Sequence, residues 1–125
     1  MNENEISKIV FESGLKIHRA LGVGLYEAVY EECLFYELSR KGLKVEKQKD
    51  IPIEYEELLI KKAFRVDLLI EDKVIIEIKA VPEINSYHTC QLLNYLRITG
   101  FKLGMLLNFH SLLFKDGVKR IVNHL

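Results

Sequence analysis

Asp67, Glu77 and Lys79 interrupt one of the most apolar stretches of the chain, "RVDLLIEDKVIIEIKA" from Arg65 to Ala80. Two carboxylates near an ammonium can hold a divalent cation and stabilise charge on a phosphate. Mg²⁺ takes one or two carboxylates, with waters and phosphate oxygens completing its shell. Directly opposed like charges destabilise a sheet, and a bound divalent cation would reverse that sign. Two further groups accompany it. Glu27 begins a helix after glycines in "GVGLYEAVYEE". His88, Gln91 and Tyr95 recur at spacings of three and four in "HTCQLLNYL", which sets them on one helical stripe beside the Leu92/Leu93/Leu96 core face.

Each member also has a structural explanation. Charges on a strand pair are most often a solvated face, and from Asp67, Glu77 and Lys79 alone that reading is favoured. Glu27 can complement a helix N-terminus. Gln91 and Tyr95 can border an amphipathic helix, and His88 suits a surface or supporting place better than a metal. Against this, the flanking strands are too apolar for a solvated sheet, and buried charge needs a reason.

The elements decide whether the acids meet. Val66, Leu68 and Ile70 are expected to share one strand face, with Asp67 on the other beside Arg65 and Leu69. Glu77 and Lys79 share a face with Ile75. A two-residue loop at Asp72-Lys73 would put Asp67 and Glu77 on opposite faces. A three-residue loop, Glu71-Asp72-Lys73, would oppose them with Cβ atoms roughly 5 Å apart. The sequence is compatible with both.

Upstream, Ile6, Ile9, Val10, Ile17 and Leu21 give a helix over residues 3–21, broken at Gly22. A second helix is expected over about 26–41, ending at Gly42, with Tyr30, Leu34 and Leu38 buried. Strand patterns follow at Leu43 and Val45, at Ile51, Ile53 and Tyr55, over about 60–71 and over 74–80. Pro52 suits an edge or a strand start. Val81-Pro82 ends the last of these strands. A helix over about 86–99 closes at Gly100, and 102–109 reads as a buried strand. "LLFKDGVKRIV" reads as a terminal hairpin turning at Asp116-Gly117. The order implies an α/β or α+β layered domain, a central mixed sheet flanked by helices.

The 125 residues, 49% of them hydrophobic, suit one domain with one core. Equal counts of 18 basic and 18 acidic residues give no bulk attraction for a polyanion. Cys33 and Cys90 lie far apart and read as buried small hydrophobes, which argues against a disulfide framework or a zinc site. No stretch has the apolar length of a membrane span and no secretory leader is visible, so a cytoplasmic location is expected. Basic residues cluster at 40–49, at Lys61, Lys62 and Arg65, and at Lys115, Lys119 and Arg120. Phosphate contacts and solvated strand faces explain these clusters equally well.

Gly24-Leu25-Tyr26-Glu27-Ala28-Val29-Tyr30 resembles the signature of the GxxExxY proteins, a branch of the PD-(D/E)XK nuclease superfamily. The similarity continues through "FRVDLLIEDKVIIEIKAV", "HTCQLLNYLRITGFKLGMLLNF" and "RIVN". It implies a restriction-endonuclease-like core over 1–125 and a nuclease using Mg²⁺ or Mn²⁺, on DNA rather than RNA. Glu27, Asp67, Glu77, Lys79 and Gln91 then match catalytic positions, with Val66 where the family's proline would be. Asp67, Glu77, the Ile78 carbonyl and Glu27 would hold the metal. Lys79 would orient water or stabilise phosphoryl charge, and Gln91 would position Lys79, the water or the phosphate. Tyr30, Arg65, His88 and Tyr95 fall to substrate contact or support. Two other classes remain: a binding module that keeps the fold without cutting, and a subunit active only as a homodimer, through its terminal hairpin, or in a complex.

Overall fold

The computed structural model describes all 125 residues. Helix α1 spans Glu3–Leu21 and α2 spans Glu27–Arg40. Three strands follow, β1 (Val45–Tyr55), β2 (Leu58–Ile70) and β3 (Val74–Lys79), then α3 (Ser86–Thr99), β4 (Leu103–Asn108), a 3₁₀ turn (Phe114–Gly117) and β5 (Val118–Val122). The strands form one sheet in sequence order, with β3 and β4 parallel and every other pair antiparallel. The β3–α3–β4 crossover makes that parallel pair possible.

The helices start and stop where local chemistry directs. Asn2 caps α1 in a reciprocal box with Glu5. At α3 the same box is built from Asn85 and His88, whose Nδ1 accepts the Asn85 N–H at 3.2 Å. Gly42 and Gly100 take the left-handed backbone that follows a helix end. No helix is long and apolar enough to cross a membrane.

The sheet separates two apolar layers. On one face α1 and α2 pack Ile6, Val10, Tyr30, Leu34 and Leu38 over Leu68, Ile70, Ile76, Ile78 and Leu107. On the other, α3 packs Leu92 and Leu96 over Ile51, Val66, Leu69, Ile75 and Leu106. The expected helix stripes are present, except that Ile9 and Leu93 are only half-buried and Leu21, at the end of α1, is exposed.

Three expectations need correction. Val66, Leu68 and Ile70 do not share a face: Val66 belongs to the α3 layer, Leu68 and Ile70 to the other. The reason is a local twist of the β1–β2 ribbon between Val66 and Leu68. The C-terminal antiparallel pair exists, but its first arm is β4 rather than Leu112–Phe114. Asp116-Gly117 ends a 3₁₀ turn, and a Cβ on Gly117 would stand 2.3 Å from the Asn108 carbonyl oxygen. The cysteines are free, but Cys33 is half-buried and Cys90 exposed.

Candidate active site

The loop between β2 and β3 has three residues, since Ile70 pairs with Val74. Glu71 and Asp72 both accept positive φ, 52° and 54°, to make this turn without a glycine. Backbone pairing of β2 with β3 then covers only Leu68–Ile70 against Val74–Ile76. One residue further on, Asp67 faces Glu77, and there the strands part.

Carboxylates fill the fork. Asp67 Oδ2 accepts the Ile78 N–H at 2.8 Å, and Glu77 Oε2 accepts the Asp67 N–H at 3.3 Å. The Ile78 carbonyl leaves the strand on the same side as its N–H, as strand geometry requires. Two residues along that edge, the Ala80 N–H is taken by Glu27 Oε2 at 3.0 Å. Glu27 therefore meets β3 beyond the Asp67–Glu77 pair.

The pair is electrostatically loaded. Glu77 is only 7% exposed. Burial first, and the Asp67 charge second, push its carboxyl up to about 8, with Lys79 pulling the other way. Near neutral pH the Glu77 carboxyl therefore tends to keep its proton. No three or more His, Cys, Asp or Glu side chains gather into a metal cage. The donors converge as a pair, which is the set Mg²⁺ uses when waters and phosphate complete its shell.

Lys79 follows Glu77 on the α3 face of β3, opposite Asn108 of β4. Asn108 is buried, and its amide clamps Val81 through both N–H and carbonyl, 3.1 and 2.9 Å, which sets the bend after Lys79. On α3, Tyr95 stacks on Phe64 with centroids 4.0 Å apart. Burial and then the Glu77 charge raise its hydroxyl pKa, which marks its side chain as a wall of the site.

The remaining candidates sit elsewhere or have other work. The Gln91 side-chain nitrogen donates to the Tyr87 hydroxyl at 3.3 Å, so its partner here is not Lys79. His88 belongs to the α3 cap. Arg65 pairs across the strand with Asp50 at 3.0 Å. Tyr30 is fully buried. It stacks on Phe109 at 4.4 Å, and its hydroxyl ties the Gly22–Leu25 loop that leads into Glu27.

Two polar neighbours of Asp67 lay outside the sequence reading. Gln48 of β1 donates to Asp67 Oδ1 at 3.3 Å and to Glu31 Oε1 of α2 at 2.7 Å. Burial and then the Asp67 charge raise the Glu31 pKa. Glu31 follows Glu27 by one helical turn, a spacing that could have flagged it. Nothing local flagged Gln48.

The first basic cluster is spent internally. Arg40 pairs with Glu37, Lys44 with Asp72 and Glu46, Lys47 with Glu32 and Lys49 with Glu46, while Lys41 donates to Ser13. Lys61, Lys62, Lys115 and Lys119 form none of the ion pairs.

A mixed sheet between helix layers, forked around two acids followed by a lysine, is the architecture of a nuclease-type domain. Residues 4–121 match the family described as the PD-(D/E)XK nuclease superfamily, and the chain belongs to it, with a restriction-endonuclease-like core. No curated protein matches it. Among solved structures, "Crystal structure of SSO0001" aligns at 16% identity and a TM-score of 0.46, covering 96% of this chain and 79% of that one, too distant to bear on activity.

Proposed function

We propose that the chain is a nuclease of the GxxExxY branch that hydrolyses phosphodiester bonds in DNA with Mg²⁺ or Mn²⁺. The observation that carries this is the fork: two carboxylates held face to face in a buried site, at a cost that only a proton or a cation relieves. A structural cap for a strand edge would need one acid, not an opposed pair. Glu77-Ile78-Lys79 and Asp67 fit the superfamily's motif positions, and superfamily membership supports a nucleic-acid substrate.

Asp67, Glu77 and the Ile78 carbonyl would hold the metal. When bound, the ion polarises the scissile phosphate and acidifies a water. Glu27 anchors α2 to the edge of β3 and lies within one helical turn of Glu31. Lys79, at the end of β3 before the bend set by Asn108, would offer an ammonium to the charge growing on the phosphoryl oxygens. Tyr95 and Phe64 form an apolar wall that limits water on the α3 side. Gln91 is free to leave Tyr87 for a phosphate or for Lys79.

The test is Mg²⁺ and Mn²⁺ calorimetry with cleavage assays on DNA and RNA, comparing wild type with Asp67→Ala, Glu77→Ala and Lys79→Ala. The carboxylate variants should lose metal and cutting, and the lysine variant only cutting. Metal binding by wild type without cleavage of any substrate would favour the non-cutting module. No metal binding at all would sink the nuclease reading.

A further inference from the structure

Gln48 has no place in the superfamily motif, yet its backbone is unusual. It sits mid-strand in β1 with φ 52°, a left-handed conformation that glycine favours and glutamine rarely takes. Such outliers persist only when the surroundings hold them. Its neighbours Lys47 and Lys49 pair with Leu68 and Val66, so Gln48 lies directly opposite Asp67.

The consequence is visible on both strands. Leu68 faces the α1–α2 layer and Val66 the α3 layer, although both sit on the same side of an ideal strand. The β1–β2 ribbon turns over at the Gln48/Asp67 step. Asp67 is thereby left at the fork, in neither layer. Gln48 itself is exposed, and the same turn lays its amide along the surface between two acids.

That amide has two N–H donors and uses both, one on Glu31 and one on Asp67. Glu31 can receive it because α2 is already pinned to β3 through Glu27 and Ala80. A relay results: helix α2, Glu31, Gln48, Asp67 Oδ1. Asp67 Oδ2 is fixed independently by Ile78. With a donor on each oxygen, rotation of the carboxylate breaks at least one hydrogen bond.

We propose that Gln48, held by Glu31, is a positioning residue that orients Asp67 for its role in the site. The proposal rests on the nuclease reading above. Partners of this kind around metal ligands are worth about 10–100-fold in metal affinity or activity. Gln48 touches no substrate in this role; it acts through Asp67.

The experiment separates side chain from backbone. Gln48→Gly keeps the left-handed φ at no steric cost and removes the side chain, its amide included. Glu31→Gln keeps an oxygen for Gln48 to donate to, whereas Glu31→Ala does not. Each protein is measured three ways: thermal unfolding, Mn²⁺ affinity by calorimetry, and ¹⁵N NMR of the Gln48 side-chain amide without metal. The expected result is that Gln48→Gly melts at or above the wild-type temperature but binds Mn²⁺ about 10–100-fold more weakly. Glu31→Ala should lose affinity similarly and release the Gln48 amide protons to solvent exchange, and Glu31→Gln should retain affinity and protection. Gln48→Gly with wild-type affinity overturns the proposal, as does a loss of affinity that only follows unfolding. Wild-type protein that binds no Mn²⁺ refutes the nuclease reading instead. The orientation claim then stands or falls on whether the wild-type Gln48 amide protons resist exchange.

Discussion

Replacing Glu77 by glutamine should stabilise the metal-free protein, by an amount that grows as pH rises from 4.5 to about 8. The carboxyl sits at about 8 in the folded chain against an ordinary 4.5. A native group that binds its proton more tightly than the unfolded one contributes fully below pH 4.5, and its contribution is lost as pH rises from 4.5 to about 8. The gap is about 3.5 pH units, and at 1.36 kcal/mol each the fall is up to about 5 kcal/mol. The amide introduced by Glu77→Gln carries no charge to repel Asp67 and keeps an oxygen for the Asp67 N–H, so the variant escapes most of this penalty. For a chain of this size, 1 kcal/mol moves Tm by roughly 3–5 °C. Thermal unfolding of both proteins in EDTA should therefore give matching Tm near pH 4.5 and a variant higher by about 10–20 °C at pH 9. Mn²⁺ should close the gap at pH 9 by raising the wild type alone. A gap that is independent of pH, or a variant less stable than wild type at pH 9, would refute the reasoning about the opposed pair.

Other outcomes follow from the packing. Tyr30→Phe removes the hydroxyl that joins Gly22 and Leu25, and should cost about 1–2 kcal/mol in denaturant unfolding. Gly14→Ala would place a methyl 2.3 Å from the Phe114 ring; the misfit should cost about 1–3 kcal/mol despite the better helix propensity. Leu34→Ala, at a fully buried site, should cost about 2–5 kcal/mol. Lys44→Ala removes the exposed Lys44–Asp72 ion pair and should leave Tm unchanged.

The helix limits were legible because glycines and apolar periods mark them: Gly22, Gly42 and Gly100 stand at the three ends. The sheet was legible in its elements but not in its register. The three-residue loop depends on positive φ at Glu71 and Asp72, neither of which is a glycine. The faces of β2 were misread for a related reason. Strict alternation assumes an untwisted strand, and the turnover at Gln48 carries no local marker. Asp116-Gly117 is a good hairpin signal, yet β5 finds more to pair with along β4 than Leu112–Phe114 could offer, and Phe114 is needed in the core. Of the site, Asp67 and Glu77 were legible as acids out of place in an apolar run, and their opposition was one of two registers considered. Glu31 and Gln48 were not, because only the folded ribbon brings them to Asp67.

The ion pairs that consume the first basic cluster bear on how any nucleic acid would be held. A cation that already has a carboxylate partner brings no net charge to a phosphate and displaces little condensed counterion. Arg40, Lys44, Lys47, Lys49 and Arg65 are in that position. Those five would add little to the number of phosphates neutralised, a task left to cations outside the ion pairs such as Lys61, Lys62, Lys115 and Lys119. The salt dependence of any nucleic-acid binding should therefore respond to substitution of those lysines and hardly at all to substitution of the paired cations.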